Sequence, residues 1–391
     1  MMKLKLGLHL AYCTNIHRGE DWRETFDSLK LHTLAVRREV CPDQPYAIGL
    51  RLSNLAAVEL SEGGRLAEFK SWLGQNQCYV FTINGFPFGQ FHGARVKEQV
   101  YLPDWTSPER LAYTNLLFDL LGELLPPNVE GSVSTLPGSF KEFITGADQE
   151  KEIRQNVWRC VEHIAGVSAR TGRELHLGLE PEPLGWFETS AETIRFFEQM
   201  RAEHPNDPRL SAHLGVNYDT CHLAVEFEEP QAAIAALRRN GIKISKLHLS
   251  SALKVRPTVA ARRELAAFAD DIYLHQVVAR AADGQRLVFK DLTPALNDVA
   301  AFAHPETTEW RIHFHIPLHS PATEWYENTT DHVTGVLDLL QADPTLCSHL
   351  EMETYTWEVL PAGLKNRTVV AQLVSEYDWT LKRLAERGLA V

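Results

Sequence analysis

The stretch ELHLGLEPE at residues 174–182 decides how the chain folds. Side chains alternate along a β-strand, so Leu177 and Leu179 share one face and Glu180 and Glu182 share the other. The second face therefore becomes ionisable toward the carboxyl end of the strand, which is where parallel α/β barrels carry their active sites. A doubly wound open sheet would more often show apolar residues on both faces. This stretch predicts a barrel strand with helices outside and a polar lumen inside.

Seven further runs look like strands, and amphipathic helical stretches lie between them. The strand-like runs, including the first stretch, are residues 3–12, 47–53, 79–85, 130–135, 174–182, 213–219, 243–250 and 348–354. The clearest helical stretches are residues 21–40, 108–125, 149–170 and 191–201. Eight such alternations without a linker predict an α/β protein with a (β/α)8 TIM barrel, and a single domain over residues 1–391.

Two segments are too long for ordinary barrel connections. Residues 84–105 form a long loop that we place over the barrel mouth. Residues 251–346 are long enough for the seventh helix plus an insertion between strands seven and eight. Within them, residues 312–316 alternate histidines with apolar side chains, which predicts an inserted strand or extended loop near the mouth.

Composition narrows the class of protein. The 391 residues include 39 Lys and Arg against 51 Asp and Glu, a formal net charge of −12, which disfavours a nucleic-acid partner. No run approaches the roughly 18 apolar residues of a membrane-spanning helix. Leucines occupy every second position from 4 to 10, and His9 interrupts the apolar run that a signal peptide would need. This stretch therefore predicts a strand rather than a signal peptide. We expect a cytoplasmic protein without membrane insertion.

Four ionisable residues come near the ends of four successive predicted strands: Glu180, Asp219, His248 and Glu353. If these groups converge in one barrel mouth, their like charges repel one another, because little water is there to screen them. A cation must then neutralise them. A divalent metal ion accepts mixed oxygen and nitrogen ligands. The alternative is four separate strand-end residues with local hydrogen bonds.

Other residues are candidates for contacting a substrate. His9 and Arg51 have inward parity on the first two strands, although His9 could equally be a core histidine and Arg51 could pair with a lumen carboxylate. The long loop holds further candidates, whose alternative role is packing over the barrel rim: Phe86, Phe88, His92 and Trp105.

The segments GLEPEP, NYDTCHLA, KLHLS and LEMETYTW resemble the last four strands of the xylose-isomerase-like TIM barrels. That superfamily includes sugar isomerases, epimerases and endonuclease-IV-type nucleases. The resemblance implies a divalent metal ion, of the kind Mn, Zn, Co or Fe, held by Glu180, Asp219, His248 and Glu353. Glu182 and Glu351 share faces with two of these and stay alternatives. Glu180 is favoured as the last regular strand position before Pro181, and Glu353 because it is nearer the mouth.

The same resemblance suggests further ligands. Asp219-Thr-Cys-His222 is similar to the family's DxxH, in which the histidine can be a ligand. His313 and His315 resemble an Asp-x-His segment of the nuclease branch with His in place of Asp, and His92 could take one further nuclease role. No convincing second histidine accompanies His92. One or two metal ions are therefore expected instead of a trinuclear centre.

More narrowly, NGFPFGQFHG, VYLPDW, SVSTLPGSF and METYTW resemble the EboE proteins, which are encoded in bacterial gene clusters linked to export of a secondary-metabolite precursor. This resemblance implies a metabolite-traffic protein, with other products of the same cluster as partners. It supplies no reaction.

Together these observations predict a metal-dependent sugar or sugar-phosphate isomerase- or epimerase-like enzyme acting on a small hydroxy-carbonyl compound. Glu180 and Glu353 would remove and return a proton of the substrate. A protein that binds and carries a metabolite without converting it is the alternative. An endonuclease-IV-like activity is a third reading, and it conflicts with the net charge.

Overall fold

The larger of two sheets forms a barrel. The structure, a computed structural model, describes residues 4–93, 95–298 and 308–390. The barrel strands are β1 (His9–Tyr12), β2 (Tyr46–Arg51), β3 (Cys78–Asn84), β4 (Gly131–Thr135), β5 (Leu175–Leu179), β6 (Leu214–Asp219), β7 (Lys243–Leu249) and β13 (His349–Met352). They are parallel and ordered β1-β13-β7-β6-β5-β4-β3-β2. A parallel bridge between Cys13 and Gly49 brings β1 beside β2. The predicted (β/α)8 barrel is confirmed, with all eight strands where the sequence placed them.

Fourteen α-helices lie in the described chain; most cover the outside of this sheet, and the two within residues 253–328 belong to the insertion between β7 and β13. They are α1 (Trp22–Ser28), α2 (Leu34–Val40), α3 (Asn54–Ser61), α4 (Arg65–Gln75), α5 (Pro108–Leu124), α6 (Ala147–Thr171), α7 (Ser190–Glu203), α8 (Pro208–His213), α9 (Thr220–Val225), α10 (Pro230–Arg239), α11 (Val259–Leu265), α12 (Leu292–Asn297), α13 (Thr330–Ala342) and α14 (Val369–Ala385). All four predicted helical stretches are helical, and a π-helical turn at Leu29–Thr33 joins α1 to α2. Local signals set the ends: Ser107 caps α5 ahead of Pro108 at its first turn, and Gly172 ends α6 with a left-handed backbone.

The two faces of the barrel strands divide as the alternation predicts. Leu177, Val216, Leu247 and Leu350 are fully buried in the hydrophobic cluster between strands and helices. The opposite faces carry buried polar groups such as Lys246, because the lumen supplies them with partners. The lumen is therefore a packed polar interior whose upper end can hold ionisable groups.

The insertion between β7 and β13 contains a sheet of its own. Its five antiparallel strands are β8 (Leu253–Val255), β9 (Val277–Arg280), β10 (Arg286–Phe289), β11 (Glu309–Ile312) and β12 (Glu327–Asn328), ordered β10-β9-β11-β8-β12. Trp310, Ile312 and Phe314 lie in a second hydrophobic cluster under this sheet. The predicted insertion is confirmed, but it holds a full sheet where one strand or extended loop was expected. Residues 313–316 continue β11 as extended chain, and their histidines face away from the apolar cluster.

The insertion leaves the barrel and returns to it at one point. The backbone N–H of Ala252 donates to Thr329 Oγ1 at 2.8 Å, and the N–H of Thr329 donates to the carbonyl of Ala252 at 3.1 Å. Directly after this junction, α13 packs against α10 and α14 and takes the place of the seventh barrel helix.

Residues 84–105 are tied to the insertion above the barrel mouth. The backbone N–H groups of Val96 and Lys97 both donate to the carbonyl of Ile272 at 2.9 Å. The Lys97 ammonium donates to the carbonyls of Asp270 and Tyr273, both at 2.7 Å. The two long connections thus form one continuous cover. Within the described ranges, no helix is both long enough and apolar enough to cross a lipid bilayer.

Candidate active site

The four predicted strand-end residues meet in one place. Each of Glu180, Asp219, His248 and Glu353 offers a ligand atom, these atoms lie within 4.8 Å of one another, and all four residues are buried. Strand register contributes directly, because β6 and β7 pair Asp219 with His248. We call these four residues the quartet.

Asp219 is oriented by the start of α9. Its Oδ1 accepts hydrogen bonds from the N–H groups of Cys221 at 2.7 Å and His222 at 3.0 Å, and from the Ser250 hydroxyl at 2.7 Å. Its Oδ2 is buried and accepts no hydrogen bond from the residues that the structure describes. One carboxylate oxygen is thus fixed, and the other is left for a cation.

His248 is held by a carboxylate on each side of its ring. Its Nε2 lies 2.8 Å from Glu351 Oε2, and its Nδ1 lies 3.0 Å from Glu180 Oε1. Burial alone would lower the pKa of His248, but the surrounding carboxylates, Glu353 foremost, raise it well above its usual value. If a metal ion were bound at the quartet, Nδ1 would be the ring atom available to hold it, and Nε2–H would remain the donor to Glu351. The ring therefore presents Nδ1 to the quartet.

Glu351 belongs to a deeper layer than the quartet. Its Oε2 pairs with the fully buried Lys246 ammonium at 2.6 Å. Burial raises the pKa of Glu351, but Lys246 and His248 outweigh burial and lower it to about 2. Of the two alternatives on this strand, the structure places Glu353 in the quartet and Glu351 behind His248.

Glu353 is held by two amides that the sequence analysis missed. Its Oε1 accepts from Asn15 Nδ2 at 2.8 Å and from Asn84 Nδ2 at 3.0 Å, whereas its Oε2 lies 3.3 Å from His248 Nδ1. Asn84 ends β3, so its strand-end position was a usable signal. Asn15 lies in a 3-10 turn (Thr14–Ile16) after β1, where no strand alternation shows which side chains face the lumen.

Glu182 lies beside the quartet and not within it. It forms a second group of possible ligands with His222 and His313. Burial, together with the charge of Glu180, raises the pKa of Glu182 well above its usual value. Burial and the neighbouring carboxylate thus both favour the protonated form of Glu182.

Three histidines make an unusual cluster next to the quartet. The Nε2 atoms of His313 and His315 are 3.2 Å apart, and those of His315 and His222 are 3.3 Å apart. The Gln276 amide donates to the carbonyl of Pro183 at 2.9 Å, so its oxygen is the atom that accepts from His313 Nδ1 at 2.8 Å.

His315 is fixed in the same tautomer, since its Nδ1 lies 3.0 Å from the carbonyl of Glu353. Burial lowers the pKa of both His313 and His315, which keeps them neutral. Their Nε2 lone pairs therefore face each other without a proton between them. The histidine cluster, His222, His313 and His315, is suited to holding a cation.

A cavity of about 560 Å³, counted with the space at its opening, lies above the quartet. Glu180, Glu182 and Glu353 line its floor with His222 and His313. The mouth loop and the insertion contribute its upper wall, which includes Phe86, Phe91, Val96, Val100, Tyr101, Tyr273, Leu274 and Tyr355.

Several predicted substrate contacts lie outside this cavity. His9 is the first residue of β1, at the opposite end of the lumen, and its Nδ1 lies 2.8 Å from the Tyr79 hydroxyl. Arg51 is buried, and its guanidinium donates to the carbonyls of Gly19 and Gly89, both at 2.6 Å. The structure assigns these two side chains to packing and does not place them against a substrate.

The aromatic candidates of the mouth loop separate in the same way. Phe86 lines the cavity. Phe88 packs on Tyr113 at a ring distance of 5.1 Å, and the Trp105 indole N–H donates to Thr135 Oγ1 at 3.2 Å, so both support the loop from behind. His92 is buried against Phe91, and burial lowers its pKa to about 4. Within the described chain, His92 neither lines the cavity nor belongs to a group of possible metal ligands.

The comparisons with known proteins bear on the fold. No protein-family profile and no curated protein sequence matches the chain. An L-ribulose 3-epimerase structure matches with 14% identity over 97% of this chain and 95% of its own, with a TM-score of 0.50. D-psicose 3-epimerase from Clostridium cellulolyticum matches with 12% identity over 96% and 99%, also with a TM-score of 0.50.

A xylose isomerase domain protein from Planctomyces limnophilus is similar at 13% identity, over 91% of this chain and 93% of its own, with a TM-score of 0.50. The fold of this chain is that of the xylose-isomerase-like TIM barrels, as the strand motifs indicated. The resemblance to the EboE proteins is not tested by these matches and stays a prediction.

Proposed function

We propose that the protein is a metal-dependent isomerase or epimerase that moves a proton on a small hydroxy-carbonyl compound such as a sugar. The convergence of the quartet at the floor of the cavity carries this proposal. The structurally similar epimerases named above support the reaction class by analogy of fold.

The chemistry of the quartet fits a divalent metal ion. Asp219 Oδ2 is a buried carboxylate oxygen that accepts no hydrogen bond within the described chain and lies 3.5 Å from His248 Nδ1, a setting that a cation stabilises. Ligands held at 2.0–2.2 Å lie up to about 4.3 Å apart, so the observed separations need only small side-chain rotations. The ion, once bound, would polarise the carbonyl and hydroxyl oxygens of the substrate.

Two of the quartet residues can also reach the substrate. Glu180 and Glu353 line the cavity floor. One carboxylate can accept the proton from the carbon that bears the hydroxyl, next to the carbonyl carbon, and the other can return a proton to that carbon. The two amides on Glu353 Oε1 fix its orientation and leave Oε2 to act.

The histidine cluster supplies a second metal position in this proposal. Tetrahedral zinc with Zn–N bonds of 2.0–2.1 Å separates its nitrogens by about 3.3 Å. The Nε2 atom of His315 lies at this spacing from both His313 Nε2, at 3.2 Å, and His222 Nε2, at 3.3 Å. The neutral tautomers of His313 and His315 already present the required lone pairs. Glu182 lies within ligand distance of two of these histidines, His222 and His313.

Deuterium exchange tests the proposed reaction. Protein loaded with Mn²⁺ or Zn²⁺ is incubated with hydroxyacetone or D-tagatose in D₂O, and proton NMR follows the carbon that bears the hydroxyl next to the carbonyl. We expect exchange by the wild type and a loss of at least 100-fold in Glu180→Gln and Glu353→Gln. Glu130→Gln, which changes a carboxylate at the other end of the lumen, is the control.

The outcome also separates an enzyme from a carrier. Metal binding and ligand binding without any exchange would contradict the catalytic proposal and favour a metabolite carrier. A place in secondary-metabolite traffic, suggested by the EboE-like segments, is part of the proposal. Purification of the protein with other products of its gene cluster would support it.

A further inference from the structure

The cavity above the quartet has two chemically different walls. Its floor is ionisable and carries the carboxylates and histidines already described. Its upper wall is almost entirely apolar or aromatic. A hydroxy-carbonyl group bound at the floor therefore leaves the remainder of the molecule against hydrocarbon and aromatic rings.

Three aromatic rings in the upper wall touch one another. Phe91 lies 5.2 Å from Tyr273 and 5.3 Å from Tyr355, and Tyr273 lies 5.2 Å from Tyr355, measured between ring centroids. They come from the mouth loop, the insertion and the segment after β13. Three connections of the barrel have thus converged on one aromatic surface, which favours flat or apolar ligands.

The charged side chain in the upper wall is already engaged. Lys97 donates to the carbonyls of Asp270 and Tyr273 and pairs with Asp291 Oδ2, each at 2.7 Å. It is the only Lys or Arg among the cavity-lining residues of the described chain. A phosphate or carboxylate at this end would have to displace all three contacts.

Two arginines near the mouth loop hold backbone carbonyls, and neither lines the cavity. Arg51 donates to the carbonyls of Gly19 and Gly89, and Arg110 donates to the carbonyls of Gly85 and Phe86. Both hold the backbone around the mouth loop. An anionic group far from the metal-binding floor would therefore be buried without a partner, which is unfavourable.

We infer that the substrate is a hydroxy-carbonyl compound whose remaining part is uncharged and apolar or aromatic, and that sugar phosphates are excluded. This inference rests on the proposed function, which supplies the reacting group, and adds the class of the rest of the molecule. Displacement of water from the apolar wall would provide the additional affinity.

Three small ketones test the inference with Mn²⁺-loaded full-length protein. Hydroxyacetone carries the reacting group alone, 2-hydroxyacetophenone adds a phenyl ring, and dihydroxyacetone phosphate adds a phosphate. The kcat/KM for deuterium exchange is measured for each. We expect the phenyl ketone to exceed hydroxyacetone at least tenfold, and the phosphate to give no gain.

Variants locate the source of this preference. Phe91→Ala and Tyr273→Ala should each reduce the ratio of phenyl ketone to hydroxyacetone at least threefold. Phe91→Leu, which keeps most of the apolar volume, should reduce it less and serves if the alanine variants do not fold. Tyr326→Ala, a second tyrosine of the insertion that lies outside this cavity, should leave the ratio unchanged.

The results separate the two proposals. A kcat/KM for dihydroxyacetone phosphate above that of the phenyl ketone, or equal values for hydroxyacetone and the phenyl ketone, overturns the substrate class while exchange itself upholds the reaction. Exchange with none of the three ketones overturns both. A phenyl preference that survives both alanine variants also overturns the assignment to the aromatic wall.

Discussion

Glu351 Oε2 lies 2.8 Å from His248 Nε2 and fixes which ring nitrogen faces the quartet. A carboxylate behind a metal-binding histidine sets the ring orientation and makes the other nitrogen a better ligand. The fully buried Lys246 in turn holds this carboxylate. The site therefore depends on a pair of charges that never reach the cavity.

Replacing this carboxylate should weaken metal binding. We expect Glu351→Gln to lower Zn²⁺ affinity by about 10- to 100-fold, because a neutral amide holds the ring less firmly. Titration calorimetry on metal-free protein measures this. The variant leaves Lys246 uncompensated, so Glu351→Gln with Lys246→Met is the variant to use if the single change does not fold. If Glu351→Gln bound Zn²⁺ as tightly as the wild type and the surface control Glu142→Gln, this role of Glu351 would be refuted.

Gly49 leaves room for the Glu351 carboxylate that contacts His248. A Cβ added at Gly49 would overlap Glu351 Oε1 and come within 2.7 Å of the Tyr12 carbonyl. We expect Gly49→Ala to cost about 1–3 kcal/mol of unfolding free energy and to weaken metal binding as Glu351→Gln does. Gly74→Ala is the matched control, because a Cβ there meets no atom within 4 Å. Equal behaviour of the two variants in denaturation and calorimetry would contradict this account.

The histidine cluster predicts the number of metal ions. We expect elemental analysis of zinc-loaded wild-type protein to give two ions per chain and His313→Ala to give one, because the quartet stays intact. His319→Ala, outside both groups, should retain two. A single ion in both wild type and His313→Ala would show that the cluster holds none.

Glu376 should make stability depend on pH. Burial raises its pKa from an ordinary 4.5 to about 7, although hydrogen bonds from the Thr354 hydroxyl and the Leu318 N–H act to lower it. The folded protein therefore holds this proton more tightly than the unfolded chain, and its stability falls as pH rises through about 4.5 to 7, by roughly 3 kcal/mol. Glu376→Gln keeps the accepting oxygen and should remove this dependence. Urea unfolding at pH 5 and pH 8 tests it, and parallel curves for the two proteins would exclude Glu376 as the cause.

The second hydrophobic cluster should be required for the cavity cover. Phe314 packs on Phe268 at a ring distance of 5.1 Å, between two histidines that face the other way. We expect Phe314→Ala to cost about 3–5 kcal/mol, measured by denaturant unfolding. Leu287→Ala, at an exposed position of β10, should change stability by less than about 0.5 kcal/mol. A small effect at Phe314 would mean that the cluster contributes little.

Strand alternation was sufficient to place the barrel and to bring the quartet together. It identified Glu180 and Glu353 over their neighbours by position along the strand, and the geometry places those two beside Asp219 and His248. The site roles themselves stay predictions. Period-two reasoning works here because each barrel strand has one apolar and one polar face.

Strand alternation did not predict the five-stranded sheet of the insertion. Its strands are two to four residues long, too short for a period to be recognised. Arg51 was a candidate substrate contact, but its guanidinium donates to the backbone carbonyls of Gly19 and Gly89, which no residue pattern displays. Asn15 and Asn84 were missed because neutral amides do not stand out among charged side chains.

The paired hydrogen bonds between Ala252 and Thr329 make the insertion a removable unit. Residues 253–328 begin and end at neighbouring points, so a short loop could replace them without stretching the barrel. Such a barrel would keep the quartet and lose His313, His315 and one side of the cavity wall. Exchanging the excised unit between related barrels would therefore alter the histidine cluster and the substrate contacts together, while the quartet stays in place.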